Sequence, residues 1–190
     1  MCFSFSQLFC NNSCHSADSA NSRTRRKKAV WGIKPIGIHM ATQYFEDIRN
    51  GDHLPCKPVF MTKDSIIAFA KNFDPQPFHV DEDIAAGSIF KGIVASSLHT
   101  LSACTRVVVE AQGDIAILSG VGMHEVNMFN PVRPGDTLFV KAWWTELKKS
   151  NSKPDRGFAS IKCEVTNQKK EPVIDYGYRY LLACREFKKL

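Results

Sequence analysis

Asp74 and His79 are the two residues of this sequence whose types and spacing best suit catalysis. They lie five residues apart in FDPQPFHVDED (residues 73–83), where two prolines stiffen the chain. A carboxylate and an imidazole can hold one water molecule between them, and one group accepts a proton while the other orients or donates. On these residues alone a structural alternative stays open, in which Asp74 caps a turn and His79 is a hydrogen-bonded loop histidine.

The elements before the long helix must position this pair. HLPCKPVFM (53–61) predicts a short edge or entry strand, and Thr62 or Asp64 can cap the helix that follows. Because two prolines in five residues are unfavourable in a regular helix or a central strand, residues 73–83 are predicted to form an irregular loop. Asp81 can then cap a short helix.

Residues 93–112 are predicted to form a long, slim, mostly apolar helix that ends at Gly113, with His99 packed in the core. Its N-terminus would offer unpaired N–H groups beside the proline-stiffened loop. Alternating apolar and polar residues then predict four strands, at 115–129, 137–149, 158–168 and 171–187. Strands that follow one central helix predict an α+β fold, with an antiparallel sheet wrapped around that helix.

The first 39 residues differ from the rest in composition. They contain six basic residues and one acidic residue, which accounts for +5 of the net charge of +6. Because they show no helical or strand periodicity, we interpret residues 1–39 as a disordered or non-native extension and residues 40–190 as the folded domain. A mitochondrial presequence is an alternative, since Ser and Arg are plentiful and acids are scarce. The basic excess belongs to this extension, so no nucleic-acid partner is predicted.

Composition also limits the compartment and the cofactor. Seven cysteines without framework spacing argue against a disulfide scaffold and for a reducing compartment, so a cytoplasmic protein is predicted. No run of about 18 apolar residues is present, so no membrane-spanning helix is expected. The sequence contains no glycine-rich nucleotide-binding motif and no metal-ligand cluster, so neither a metal nor a redox cofactor is predicted.

The segment FDPQPFHVDEDIAAGSIFKGIVASSLHT (73–100) resembles the signature of MaoC-like dehydratases and (R)-specific enoyl-CoA hydratases. The shared features are the five-residue spacing from Asp to His, an F-x-G-[IL] step and a helix start built from small residues. NPVRPGDTL (130–138) resembles a second recurrent stretch of this family. The similarity covers about residues 44–187, and it implies a hot-dog fold and a protein that is at least a homodimer.

The resemblance also implies an activity, the interconversion of (R)-3-hydroxyacyl-CoA and trans-2-enoyl-CoA, with Asp74 and His79 as the catalytic pair. It implies that Ser102 matches a serine that helps to fix the catalytic groups. Ser97 stands where the family usually has a glycine whose N–H faces the thioester oxygen. Two alternatives stay open. One is an acyl-CoA thioesterase of hot-dog type. The other is a non-catalytic acyl-CoA binding subunit, an interpretation that the serine at position 97 favours.

Overall fold

The structure is a computed structural model, and it describes residues 43–186 of the 190-residue chain. The interpretation of residues 1–39 as an extension lies outside the described residues, as does the predicted domain boundary at residue 40. A single 3-10 turn, Phe45–Asp47, precedes two short strands, β1 (His53–Leu54) and β2 (Val59–Phe60). These short strands occupy the region where the sequence predicted an entry strand.

Two helices begin at the capping residues that the sequence predicted. α1 (Lys63–Phe73) starts after Thr62, whose hydroxyl accepts a hydrogen bond from the Ser65 N–H at 3.1 Å. α3 (Glu82–Gly87) starts after Asp81, whose carboxylate accepts from the Ile84 N–H at 2.9 Å. Both caps satisfy a backbone donor that has no partner inside its own helix.

The segment between them is not the irregular loop that the two prolines predicted. Pro77 opens a one-turn helix, α2 (Pro77–Val80). The prediction was wrong here because proline is unfavourable inside a helix but well suited to its first position, where no N–H is required. As a result His79 lies on a helical turn.

The long helix α4 (Ser97–Gln112) begins later than residue 93, where the sequence placed its start. Ser96 is the cap, because its hydroxyl accepts a hydrogen bond from the Leu98 N–H at 3.2 Å. Residues 93–96 stay outside the helix, and the Ala95 N–H donates to the Val132 carbonyl at 2.8 Å. The helix ends at Gly113, as predicted, with the positive φ of 59° that glycine readily adopts.

Four long strands complete the domain: β3 (Ile117–Met128), β4 (Thr137–Lys149), β5 (Arg156–Thr166) and β6 (Pro172–Ala183). They pair antiparallel in the order β1-β4-β5-β6-β3, and β2 also pairs with β4. Ile161 of β5 lies between Trp144 of β4 and Tyr178 of β6. β3 therefore forms one edge of the sheet.

The core lies between the inner face of the sheet and α4. Alternate residues of β5 are fully buried, as expected for a strand with one face on the core: Ala159, Ile161, Cys163 and Val165. From α4 the buried residues are Thr100, Cys104, Val107, Val108 and Gln112. This α+β arrangement, an antiparallel sheet packed on one long helix, confirms the hot-dog fold expected from the resemblance.

None of the helices between residues 43 and 186 has the length and apolar character that a membrane crossing requires. The four cysteines of this part of the chain, Cys56, Cys104, Cys163 and Cys184, are free thiols. No disulfide joins these four cysteines in the part of the chain that the structure describes.

Candidate active site

His79 is held in place by backbone that precedes α4. Its side chain is 7% exposed, and its Nδ1 atom lies 2.7 Å from the carbonyl oxygen of Val94. Because a carbonyl oxygen can only accept, Nδ1 carries the hydrogen of this bond. In the neutral ring Nε2 then has a free lone pair and can accept a proton.

Asp74 ends α1, and its own N–H donates to the Ala70 carbonyl at 2.9 Å. Its carboxylate accepts two side-chain hydrogen bonds: from Ser96 Oγ to Oδ2 at 2.6 Å, and from Gln76 Nε2 to Oδ1 at 3.0 Å. The hydrogen bond from Ser96 is the main cause that lowers the pKa of Asp74, and Gln76 and His79 add to it while burial opposes it. The group is therefore a carboxylate at neutral pH.

The structure brings Asp74 and His79 together, as their spacing predicted. Asp74 Oδ2 lies 3.5 Å from His79 Nε2, which is longer than a good direct hydrogen bond. When the imidazole is neutral, both of these atoms are acceptors. A water molecule with two O–H donors can satisfy both at once.

A cavity of about 360 Å³ opens beside this pair. Its wall is mostly apolar and comes from three parts of the chain: Phe78, Phe90, Val94, Ala95, Met128, Phe129, Pro131, Val132, Val173 and Ile174. Asp74, Gln76, His79, Ser97, Thr100 and Asn130 supply the polar groups of its lining. A small polar centre inside an apolar pocket is the usual form of a small-molecule site.

Ser97 lines the cavity and occupies the first position of α4. The first N–H groups of a helix have no partner within it, and the helix dipole places partial positive charge there. The Leu98 N–H is already bonded to Ser96, and Ser97 is the first residue of this helix end that lines the cavity. It can stabilise negative charge on a bound ligand.

Ser102 is not part of this arrangement. Its hydroxyl donates to the Leu98 carbonyl at 2.7 Å, and the residue lines a separate surface groove with Thr105 and Met123. The resemblance implied that Ser102 helps to fix the catalytic groups, whereas the serine that contacts Asp74 in the structure is Ser96. Sequence reasoning missed Ser96 because it placed that residue inside the helix, although serine just before a helix is a common cap.

Across residues 43–186 no group of three or more His, Cys, Asp or Glu side chains is arranged to hold a metal ion. The polar side chains that line the cavity are one carboxylate, one imidazole and neutral hydrogen-bonding groups. Such a set suits acid–base chemistry on a bound ligand.

Comparison with known proteins places this chain among related sequences. The family described as MaoC like domain matches residues 49–169. The uncharacterized protein YdeM of Bacillus subtilis (strain 168) is 33% identical over 127 residues, which cover 66% of this chain and 88% of YdeM. Protein MaoC of Klebsiella aerogenes is 34% identical over 105 residues, 55% of this chain. That match spans only 31% of the Klebsiella protein.

Solved structures show the same architecture. The MaoC-like dehydratase from Rhodospirillum rubrum superposes with a TM-score of 0.69 at 34% identity, covering 76% of this chain and 99% of that protein. The R-hydratase PhaJ1 from Pseudomonas aeruginosa superposes with a TM-score of 0.59 at 21% identity, covering 77% and 92%. The second likeness shows a shared fold alone.

Proposed function

Because the chain belongs to the MaoC-like domain family, we propose that it is a hydratase/dehydratase of acyl-CoA thioesters. It would interconvert trans-2-enoyl-CoA and (R)-3-hydroxyacyl-CoA. The observation that carries this proposal is the pair of acceptors, Asp74 Oδ2 and His79 Nε2, held 3.5 Å apart beside an apolar cavity. The similarity to a MaoC-like dehydratase and the shared fold with an R-hydratase support it.

In the hydration direction, the pair binds one water molecule by accepting both of its hydrogens. His79 Nε2 takes a proton from this water, while the carboxylate of Asp74 orients it and stabilises the charged imidazole. The water oxygen forms a bond to C3 of the enoyl thioester, and the electron pair of the C2–C3 double bond moves to the thioester oxygen. The proton held by His79 is then delivered to C2, and dehydration is the reverse.

Negative charge that develops on the thioester oxygen needs a hydrogen-bond donor. The start of α4 supplies one, because the backbone N–H of Ser97 and the helix dipole both favour an anion at this position. A serine keeps this N–H, so the contact does not require the glycine that the family usually has. The side chain of Ser97 narrows the space beside the thioester.

The proposal extends to assembly, cofactor and compartment. β3 is an edge strand that exposes a row of large apolar side chains, Leu118, Val121, Met123, Val126 and Met128. Edge pairing with a second copy would cover these groups, so the protein would act as a homodimer. The reaction needs neither a metal nor a redox cofactor, and a cytoplasmic enzyme fits its free cysteines.

The direct test is incubation of the purified protein with crotonyl-CoA. We expect the absorbance of the conjugated thioester to fall to an equilibrium value and the product to have the (R) configuration. A thiol reagent in a parallel sample detects release of CoA, which would identify a thioesterase instead. Binding of the thioester without either change would identify a non-catalytic acyl-CoA binding subunit.

A further inference from the structure

The end of α1 and the start of α4 contact each other at two points. The first is the hydrogen bond from Ser96 Oγ to Asp74 Oδ2 at 2.6 Å. The second is a parallel stack of the His99 imidazole on the Phe69 ring, with centroids 4.7 Å apart and planes inclined by 12°. Phe69 in turn contacts Phe73, the last residue of α1, at a centroid distance of 4.9 Å.

These two contacts together restrict how Asp74 can move. The hydrogen bond holds the carboxylate at one point. The stack between Phe69 and His99 holds α1 at a second point one turn earlier, in addition to the packing of Ile66 and Ala70, which are both fully buried. Asp74 directly follows α1, and its N–H is tied to Ala70, so its carboxylate follows the end of that helix.

His99 itself makes no hydrogen bond through Nδ1, which is buried and has no partner. Burial lowers the pKa of His99, so the ring is neutral near pH 7. The other ionisable groups on the two helices and at the end of α1 are Lys63, Asp64, Lys71, Asp74, Cys104, Arg106 and Glu110. The lowered pKa of His99 comes from burial and not from any of these groups.

We propose that His99 is a positioning residue whose ring holds Asp74 in its active orientation through Phe69. His99 is absent from the cavity lining, so it acts through α1 rather than on the substrate. The inference rests on the proposed hydratase function only for its effect on turnover. The effect of His99 on the position of Asp74 does not depend on that function.

Three variants of His99 distinguish the effect of ring stacking on Phe69 from the effect of side-chain volume. His99→Phe keeps a flat ring on Phe69, whereas His99→Leu fills the volume without a ring and His99→Ala leaves a gap. His53→Ala is the matched control, because His53 also contacts an aromatic ring, Trp143, but lies on β1 away from the cavity. The folding of each variant is checked by circular dichroism and thermal unfolding.

The first measurement is the titration of the Asp74 carboxyl by carbon-13 NMR. In the wild type and in His99→Phe the pKa of Asp74 should lie below its ordinary value, because the Ser96 hydrogen bond is held in place. In His99→Leu and His99→Ala that hydrogen bond loosens, so the pKa of Asp74 should rise toward the ordinary value. His53→Ala should titrate like the wild type.

The second measurement is the kinetics of crotonyl-CoA hydration. We expect kcat to fall about 10-fold to 100-fold in His99→Leu, the loss typical of a displaced catalytic group, with a smaller change in KM. A folded His99→Leu protein with the wild-type titration of Asp74 and the wild-type kcat would overturn the proposal. If even the wild type does not hydrate crotonyl-CoA, the proposed function fails, and the Asp74 titration still decides the role of His99.

Discussion

Ser96 joins two parts of the candidate site through one hydroxyl group. Its Oγ atom donates to Asp74 Oδ2 at 2.6 Å and accepts from the Leu98 N–H at 3.2 Å. The residue is fully buried at the start of α4. The same atom therefore caps the helix and holds the carboxylate that we propose orients the water.

Replacement of Ser96 by alanine should affect both stability and the titration of Asp74. Loss of the cap should cost about 1 kcal/mol of unfolding free energy, as measured by urea denaturation. A lowered pKa of Asp74 contributes stability that is present above the unfolded pKa and is lost as pH falls through the folded pKa. In Ser96→Ala this acid-dependent loss should become smaller. An identical pH dependence of stability in the two proteins would contradict the role of this hydrogen bond.

The variants Asp74→Asn and His79→Ala should each reduce kcat for crotonyl-CoA hydration by roughly 10²- to 10⁴-fold, the range expected when one positioned acid–base group is lost. The double variant should lose little more than the worse single variant, because both groups act on one water molecule. Thermal unfolding should show that each single variant still folds. Wild-type turnover in both folded single variants would place the catalytic centre elsewhere.

Ser97→Gly should retain or increase kcat/KM for the thioester. The substitution keeps the backbone N–H at the start of α4 and removes the side chain of a residue that lines the cavity. Ser102→Ala is the control on the same helix, because the hydroxyl of Ser102 bonds only to the Leu98 carbonyl. A large loss of activity in Ser97→Gly would mean that the serine hydroxyl itself contacts the substrate.

Light scattering at micromolar concentration should give at least twice the chain mass of 21.3 kDa. Met123→Glu places a charge on the exposed edge strand β3 and should shift the protein toward monomer. Phe139→Glu is a control on the exposed face of β4, within the sheet, and should leave the mass unchanged. A wild-type protein of monomeric mass would contradict the proposed homodimer.

A chain that begins at Met40 should keep the solubility, melting temperature and activity of the full sequence. Residues 1–39 hold most of the net charge and show no periodicity that would place them in a core. Differential scanning fluorimetry and the hydration assay provide the comparison. A drop of many degrees in melting temperature on truncation would show that this segment belongs to the fold.

The parts of the structure that the sequence could predict depend on local signals. Thr62 and Asp81 were identified as caps because a cap involves only residues three positions apart. The pairing of Asp74 with His79 could be predicted from a short segment, since they lie only five positions apart. The alternation along β5 likewise depends only on neighbouring residues.

The parts that the sequence could not predict depend on distant contacts. Apolar residues before Ser97 have helical spacing, yet residues 93–96 stay outside α4 because they bond to other segments. The Ala95 N–H reaches Val132, and the Val94 carbonyl reaches His79. The role of Ser102 was implied by the resemblance alone, whereas the contact of Ser96 with Asp74 depends on where α1 meets α4.

The backbone hydrogen bonds of residues 93–96 fix the number of residues in this segment. Both the N–H and the carbonyl of Val94 bond to α2, at Phe78 and His79, whereas the N–H of Ala95 bonds to the carbonyl of Val132. Such alternation means that an insertion or deletion of one residue would turn the Val94 carbonyl away from the imidazole. The side chains of residues 93–95 can be exchanged for others of similar size, but the number of residues between Gly92 and Ser96 cannot change without releasing the His79 ring.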